Sequence, residues 1–181
     1  VGWSRTYFLT TDRLGFSQWN EADLALAMTL WGDPRVSSLI GGPFTPDEVG
    51  ERLSREIEMM SAYKVQYWPV FSLQTHELVG CAGLRPYRSD EQIFEMGVHL
   101  RPDYWSQGFA QEAARAVIDF AFETLGVQGL FAGHHPENVA SGRFLPRLGF
   151  RFTHEEFYPP TGLHHPSYRL MNPRALLVPR S

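Results

Sequence analysis

The sequence is poor in cysteine: Cys81 stands alone among 181 residues. No disulfide can close within the chain, and no cysteine pair is available for a zinc or redox centre. A reducing, cytoplasmic setting is the expectation that follows. Positive charge is not in excess either, with 16 Lys plus Arg against 20 Asp plus Glu and a formal net charge of −4. No overall field therefore draws the chain to nucleic acid or to an anionic membrane. No stretch approaches the roughly 18 consecutive apolar residues of a membrane span, and residues 1–10 lack a basic segment followed by an apolar run. Repeats and low-complexity blocks are absent, and the 13 prolines and 16 glycines punctuate short segments without forming a linker. One domain over residues 1–181, with its core at about 9–170, is expected from this length.

The hydrophobic periods divide the chain. Residues 9–19 read as a first strand. Asn20 is placed to cap a helix carrying Leu24, Met28 and Trp31 on one face, which Asp33-Pro34 ends. Thr45, Pro46 and Glu48 form a capping box with proline at the first helical position, and Val49, Leu53, Ile57 and Met60 supply the apolar stripe. The charges from Asp47 to Glu58 read as the solvated face of that helix. Strands follow at 66–73, 78–84 and 93–100, joined by short turns into an antiparallel meander. A helix with Ala110, Ala114, Val117, Ala121 and Leu125 on one side ends at Gly126. A short apolar strand at 130–134, a helix capped by Asn138 and closed at Gly149, and a hairpin of 150–158 with 164–170 complete the string. The fold class is α+β: one mixed, mostly antiparallel sheet flanked by about four helices.

The segment Trp105-Ser106-Gln107-Gly108-Phe109-Ala110 links a strand to a long helix. A small-residue turn there aims unpaired N–H groups and the positive helix end at one point, which suits a pyrophosphate. It has neither the lysine and spacing of a Walker loop nor the Rossmann glycine fingerprint. Taken alone, Gly108 could equally serve only the conformation of a tight turn.

The run from Glu95 through Asp103-Tyr104-Trp105 and Gly108-Phe109-Ala110 to Ala113 resembles the acetyl-CoA-binding motif of the GNAT superfamily of N-acetyltransferases. Asn138-Val139-Ala140-Ser141 through Leu148-Gly149-Phe150 resembles a second block of the same superfamily. Together with residues 9–14 and 31–34, these are similar to the branch that includes the ribosomal-protein-alanine N-acetyltransferases. The resemblance implies a single GNAT-like domain with acetyl-CoA as cosubstrate and an amine as acceptor. It implies a V-shaped opening between the strand ending at Leu100 and the strand 130–134. The strand around Val98 and Leu100 would pair with the pantetheine like an added strand, a strand N–H would face the thioester oxygen, and the loop of Trp105, Ser106, Gln107, Gly108, Phe109 and Ala110 would hold the pyrophosphate.

The resemblance also implies roles for single side chains. Glu95 is the candidate base, directly or through water, although an exposed strand residue or a substrate-orienting charge is the other reading. Ser141 is the candidate to hydrogen-bond or protonate the CoA sulfur, and Asn138 and Phe144 are placed with the cofactor-binding residues. Leu145 stands where many members have a tyrosine acid, and Pro146 interrupts the helix, with a kink expected. These two departures motivate an alternative, a non-catalytic acyl-CoA-binding or sensor domain.

Weaker signals remain. His134-His135-Pro136 and His164-His165-Pro166 suggest a metal, but neighbours on a strand point to opposite faces, and no metal is expected. One histidine of each pair facing an acceptor cleft is the functional alternative to ordinary turn residues. Trp31, Trp68, Trp105, Phe144 and Tyr158 belong to the core or line that cleft. Cys81 reads as a small buried hydrophobe. The acceptor is left open between a protein N-terminus and a small molecule, and the chain between a monomer and a homodimer.

Overall fold

In the computed structural model, which describes residues 5–175, the changes of hydrophobic period coincide with changes of element. The order is β1 (Leu9–Thr10), β2 (Leu14–Phe16), α1 (Leu24–Trp31), α2 (Pro34–Ser37), α3 (Pro46–Tyr63), β3 (Tyr67–Ser72), β4 (Leu78–Arg88), β5 (Ile93–Leu100), α4 (Phe109–Asp119), β6 (Gly129–Gly133), α5 (Val139–Arg147), β7 (Arg151–Tyr158) and β8 (Leu163–Met171). The strands form one sheet in the order β1-β2-β3-β4-β5-β6-β8-β7. All neighbours are antiparallel except β5 and β6, which run parallel. Because α4 connects those two strands, the crossover that a parallel pair demands is present. The α+β class and the mixed, mostly antiparallel sheet expected from the sequence are what the chain adopts, with five α-helices among the described residues.

Several boundaries differ from the sequence reading. The first strand is two short ones, because Thr11 Oγ1 accepts the Leu14 N–H at 3.1 Å and the Thr11 N–H reaches the Leu14 carbonyl at 2.9 Å. These bonds close a turn that folds β1 back on β2. Asp33-Pro34 ends α1 as expected but also starts α2, since the Asp33 carboxylate caps the Arg35 N–H at 2.9 Å and proline suits a first helical turn. The helix after Pro102 closes in a π turn over Phe120–Thr124 before Gly126. Pro146 falls in the last turn of α5, where the Leu148 and Gly149 amides already take three-residue bonds to Leu145 and Pro146. A proline there removes less than it would in mid-helix.

Two apolar clusters cover the two faces of the sheet. One joins α4 and α5 (Ala113, Val117, Leu145) to Val70, Leu84, Met96 and Leu100. The other joins α1 and α3 (Leu30, Trp31, Val49, Leu53) to Tyr67, Phe71 and Cys81. β5 alternates between them: Phe94, Met96, Val98 and Leu100 belong to the first face, so Glu95, Gly97 and His99 belong to the second. The sidedness of Glu95 is thereby settled.

The second face also holds charge, which corrects the reading of α3. Arg52 and Glu56 are not on a solvated face; they are 9% and 0% exposed. They sit at stripe positions beside Val49 and Leu53, so the helix turns them inward with its apolar residues. Glu56 forms an ion pair with Arg85 of β4, and its other oxygen accepts the Tyr67 N–H at 2.8 Å. Both oxygens are engaged, as a buried carboxylate requires. Arg85→Met leaves Glu56 enclosed and unpaired, and a loss of about 3–5 kcal/mol is expected in urea unfolding. Adding Glu56→Gln restores most of it, because the amide oxygen still accepts the Tyr67 N–H. Equal stability of the single and double variants would contradict this account.

Candidate active site

The geometry of the site begins where the sheet splits. β5 pairs with β4 along its whole length, to Leu100 opposite Gly80. With β6 it pairs only at Ile93, Phe94 and Glu95, opposite Gly129, Leu130 and Phe131. Past Glu95, β6 remains paired to β8 as far as Gly133. The two parallel strands therefore part at Glu95, and residues 96–100 keep one edge without a strand partner. A cavity of about 840 Å³ opens in the fork, lined by both strands, α3, α5 and the loop before α4.

One mouth of the cavity is formed by the loop before α4 and the first turn of that helix. Gly108 has φ +81° and ends the loop as the N-cap of α4, with no side chain capping the first amides of the helix. Left-handed backbone at this point turns those N–H groups outward, and glycine adopts it at no steric cost. Ser106 is also left-handed, with φ +58°. The loop is braced from below: Gln107 Nε2 donates to the Asp103 carbonyl at 2.7 Å and Trp105 Nε1 to the Leu100 carbonyl at 2.9 Å. Arg13 donates to the Gln107 carbonyl at 3.1 Å and to Glu112 at 2.6 Å, and lies over the Phe109 ring at 4.1 Å. Glu112 also accepts the Thr11 hydroxyl at 2.6 Å. These contacts tie the β1–β2 turn to the first turn of α4. Arg13 was not singled out in the sequence because its partners lie about a hundred positions away.

The expected cofactor residues are placed as follows. Val98, Leu100, Trp105, Ser106, Phe109, Ala110, Asn138, Ser141 and Phe144 line the cavity. Gln107 and Gly108 lie just outside the lining, exposed at the loop tip. The Leu100 carbonyl, on the edge expected to pair with the pantetheine, already accepts the Trp105 indole N–H. Asn138 Oδ1 caps α5 by accepting the Ser141 N–H at 3.0 Å. Leu145 is 5% exposed and packs into the core, where it offers no proton.

At the vertex stands Glu95. It is half-buried and opens to the cavity. Burial raises its pKa above the ordinary carboxylate value and the Glu156 charge adds to this, whereas Arg85, Arg52 and a hydrogen bond from Tyr67 pull it down. Tyr67 can lie across β5 because residue 97 is glycine: a Cβ there would be 2.4 Å from Tyr67 Cζ. Gly97→Ala must push the phenol aside. A fall in turnover on the order of 10²-fold is expected, the scale of a reacting group displaced by about 1 Å, with acetyl-CoA affinity retained. Unchanged turnover would remove Tyr67 from the positioning of Glu95.

His99 is a titratable residue of the cleft that the sequence did not single out. It faces the same side as Glu95, and burial together with the charges of Arg52 and Arg85 holds its pKa well below the usual imidazole value. Trp31 Nε1 donates to His99 Nδ1 at 3.4 Å. The neutral ring therefore carries its proton on Nε2 and is a donor. Cys81, at 3.7 Å from the same Nδ1, is fully buried with its pKa pushed up to about 12, which makes it inert as a nucleophile. Of the two histidine pairs, His134, His135 and His165 line the cavity and His164 does not; one member of the second pair, but both of the first, face the cleft. Among the described residues no group of three His, Cys, Asp or Glu side chains is placed to hold a metal ion. Trp31 and Trp68 are core residues, whereas Trp105, Phe144 and Tyr158 line the cavity.

Comparison with known proteins agrees with this architecture. The model of the acetyltransferase (GNAT) domain matches residues 13–151, and the chain belongs to the GNAT acetyltransferase family. An uncharacterized N-acetyltransferase, YoaA of Bacillus subtilis, is 27% identical over 150 residues, which cover 79% of this chain and 82% of that one. An acetyltransferase structure from Agrobacterium tumefaciens superposes with a TM-score of 0.76 at 25% identity, covering 93% of this chain and 99% of that one. A spermidine N-acetyltransferase from Vibrio cholerae, solved with CoA and spermine, superposes with a TM-score of 0.76 at 17% identity, over 92% and 99% of the two chains. The protein is an acetyltransferase that uses acetyl-CoA. No helix among the described residues is long and apolar enough to cross a membrane.

Proposed function

We propose that this protein transfers the acetyl group of acetyl-CoA to a primary amine by direct attack on the thioester, with Glu95 as the proton acceptor. The observation that carries the reading is the parting of β5 from β6 at Glu95, which puts a carboxylate at the point where an open strand edge meets the cleft. An amine enters protonated, and a carboxylate of raised pKa is better matched to its proton than an ordinary one. The strand edge at residues 96–100 offers main-chain groups to the amides of the pantetheine arm. The loop from Trp105 to Ala110 and the uncapped start of α4 suit the pyrophosphate. Bound acetyl-CoA supplies the activated carbonyl; the chain supplies orientation, a proton acceptor and exclusion of water.

The half-buried Ser141 is proposed as the group facing the CoA sulfur, with Asn138 holding the turn that presents it. Leu145 cannot take that part. Within the superfamily, Asp103-Tyr104-Trp105 and the block ending at Leu148-Gly149-Phe150 favour the branch that contains the ribosomal-protein-alanine acetyltransferases. One domain over the whole chain, in a reducing compartment, is the proposed setting. Calorimetric titration with acetyl-CoA, CoA and ATP tests the cofactor assignment, and thiol release across a panel of amines tests the transfer. Saturable binding of acetyl-CoA and CoA but not ATP, with thiol release by some amine, is expected. Binding without release by any amine would favour a sensor domain.

A further inference from the structure

Arg52 is a buried charge of the cleft that no partner among the described residues explains. Its side chain is all but enclosed, its residue being 9% exposed, and its Nε has no hydrogen-bond partner. Among the described residues it forms neither a hydrogen bond nor an ion pair; its neighbours are the faces of Trp31 at 5.0 Å and Phe44 at 5.5 Å. Glu56 attracts it, yet one oxygen of that carboxylate is taken by Arg85 and the other by the Tyr67 N–H. Arg85 adds a like charge on the same side. A guanidinium cannot shed its proton to relieve this, so it remains a buried cation with unmet donors. It also lines the same cavity as Glu95 and is near enough to lower the pKa of that carboxyl.

An ammonium group belongs at Glu95, and an anion belongs at Arg52. Because the two sites line one cavity, one small molecule can bridge them. We propose that the acceptor is a free amino acid or a similar small amino-carboxylate, its carboxylate held by Arg52 while its amine lies at Glu95. The inference rests on the amine-acetylation reading above. The planar guanidinium fork matches a carboxylate through two parallel hydrogen bonds. A polyamine could place its ammonium groups at Glu95 and Glu156, which line the same cavity, but it leaves Arg52 without a partner. A protein N-terminus without a nearby acidic side chain leaves Arg52 unpaired.

The test measures binding and turnover separately. Protein saturated with CoA is titrated with matched series: tyrosine, tyrosine amide and tyramine, and the same three for tryptophan and leucine. At least one free amino acid is expected to bind about 100-fold more tightly than its amide and its decarboxylated amine, the scale of leaving a buried donor unpaired. Arg52→Met and Arg52→Lys are then compared, with acetyl-CoA affinity as the check that each has folded. In Arg52→Met the ratio should collapse toward one, and Arg52→Lys should retain part of it. Amines lacking the carboxylate that bind as well as the amino acids would overturn the proposal, as would a ratio that survives in Arg52→Met. Thiol release in the same series reports on the transfer reading alone. Carboxylate-selective binding with no release would sink that reading and leave the anion site standing, and efficient release with every carboxylate-free amine would do the reverse.

Discussion

Glu95→Gln is expected to lower kcat by about 10²–10⁴-fold, the range supplied by a positioned acid or base, while acetyl-CoA binds as before. The pH dependence carries the sharper prediction. The carboxyl accepts a proton only when ionised, so kcat at saturating substrates should fall as pH drops through the pKa of Glu95. Burial and the Glu156 charge place that limb above the ordinary value of 4.5, and the opposing pulls of Arg85, Arg52 and Tyr67 keep it from rising further. The groups that face Glu95 come from β3, β4, α3 and β7, so the limb reports the assembled cleft and not one neighbour. In the glutamine variant the limb should vanish. Its survival at the same pH would assign it to another group and remove Glu95 from the proton path.

The second large effect is expected at Gly108. Aspartate there must adopt φ +81°, a left-handed conformation that costs a non-glycine residue roughly 1–2 kcal/mol. Its Cβ would lie 3.4 Å from Arg13 Nη2. The new carboxylate would pair with Arg13 and draw it from Glu112 and Phe109, while placing negative charge where the helix start favours a phosphate. A loss of acetyl-CoA affinity of about 100-fold, roughly 2.7 kcal/mol, is expected for Gly108→Asp by calorimetry. Gly108→Asn separates the causes, because asparagine tolerates the same backbone and carries no charge; its loss should be clearly smaller. Wild-type affinity in a folded aspartate variant would place the pyrophosphate elsewhere.

Much of this site could be read in the chain because its determinants are local. A glycine before a helix, a capping box at Thr45 and Glu48, and an asparagine at the start of α5 each act within a few residues. Their chemistry is the same in the sequence and in the fold. The same holds for the alternation that built β5 and for the lone cysteine, whose burial its residue type foretold. The α+β string followed from changes of period, and the resemblance to GNAT acetyltransferases rested on contiguous blocks.

The features missed are those decided by distant partners. Arg52 and Glu56 carry a signal in their spacing, since they fall on the apolar stripe of α3 with Val49 and Leu53. Charge on a helix nevertheless reads as solvated until the sheet is seen to cover it. Arg13 braces the loop only because the β1–β2 turn meets α4, and His99 becomes a neutral donor only when Trp31 and two buried arginines surround it. Sequence by itself determined most of the elements, the glycine turn before α4 and the family, because these depend on residue type and local spacing. Tertiary structure alone decided which face Glu95 takes, where β5 leaves β6, and which charges are buried together, because each depends on register and on the low-dielectric surroundings that packing creates.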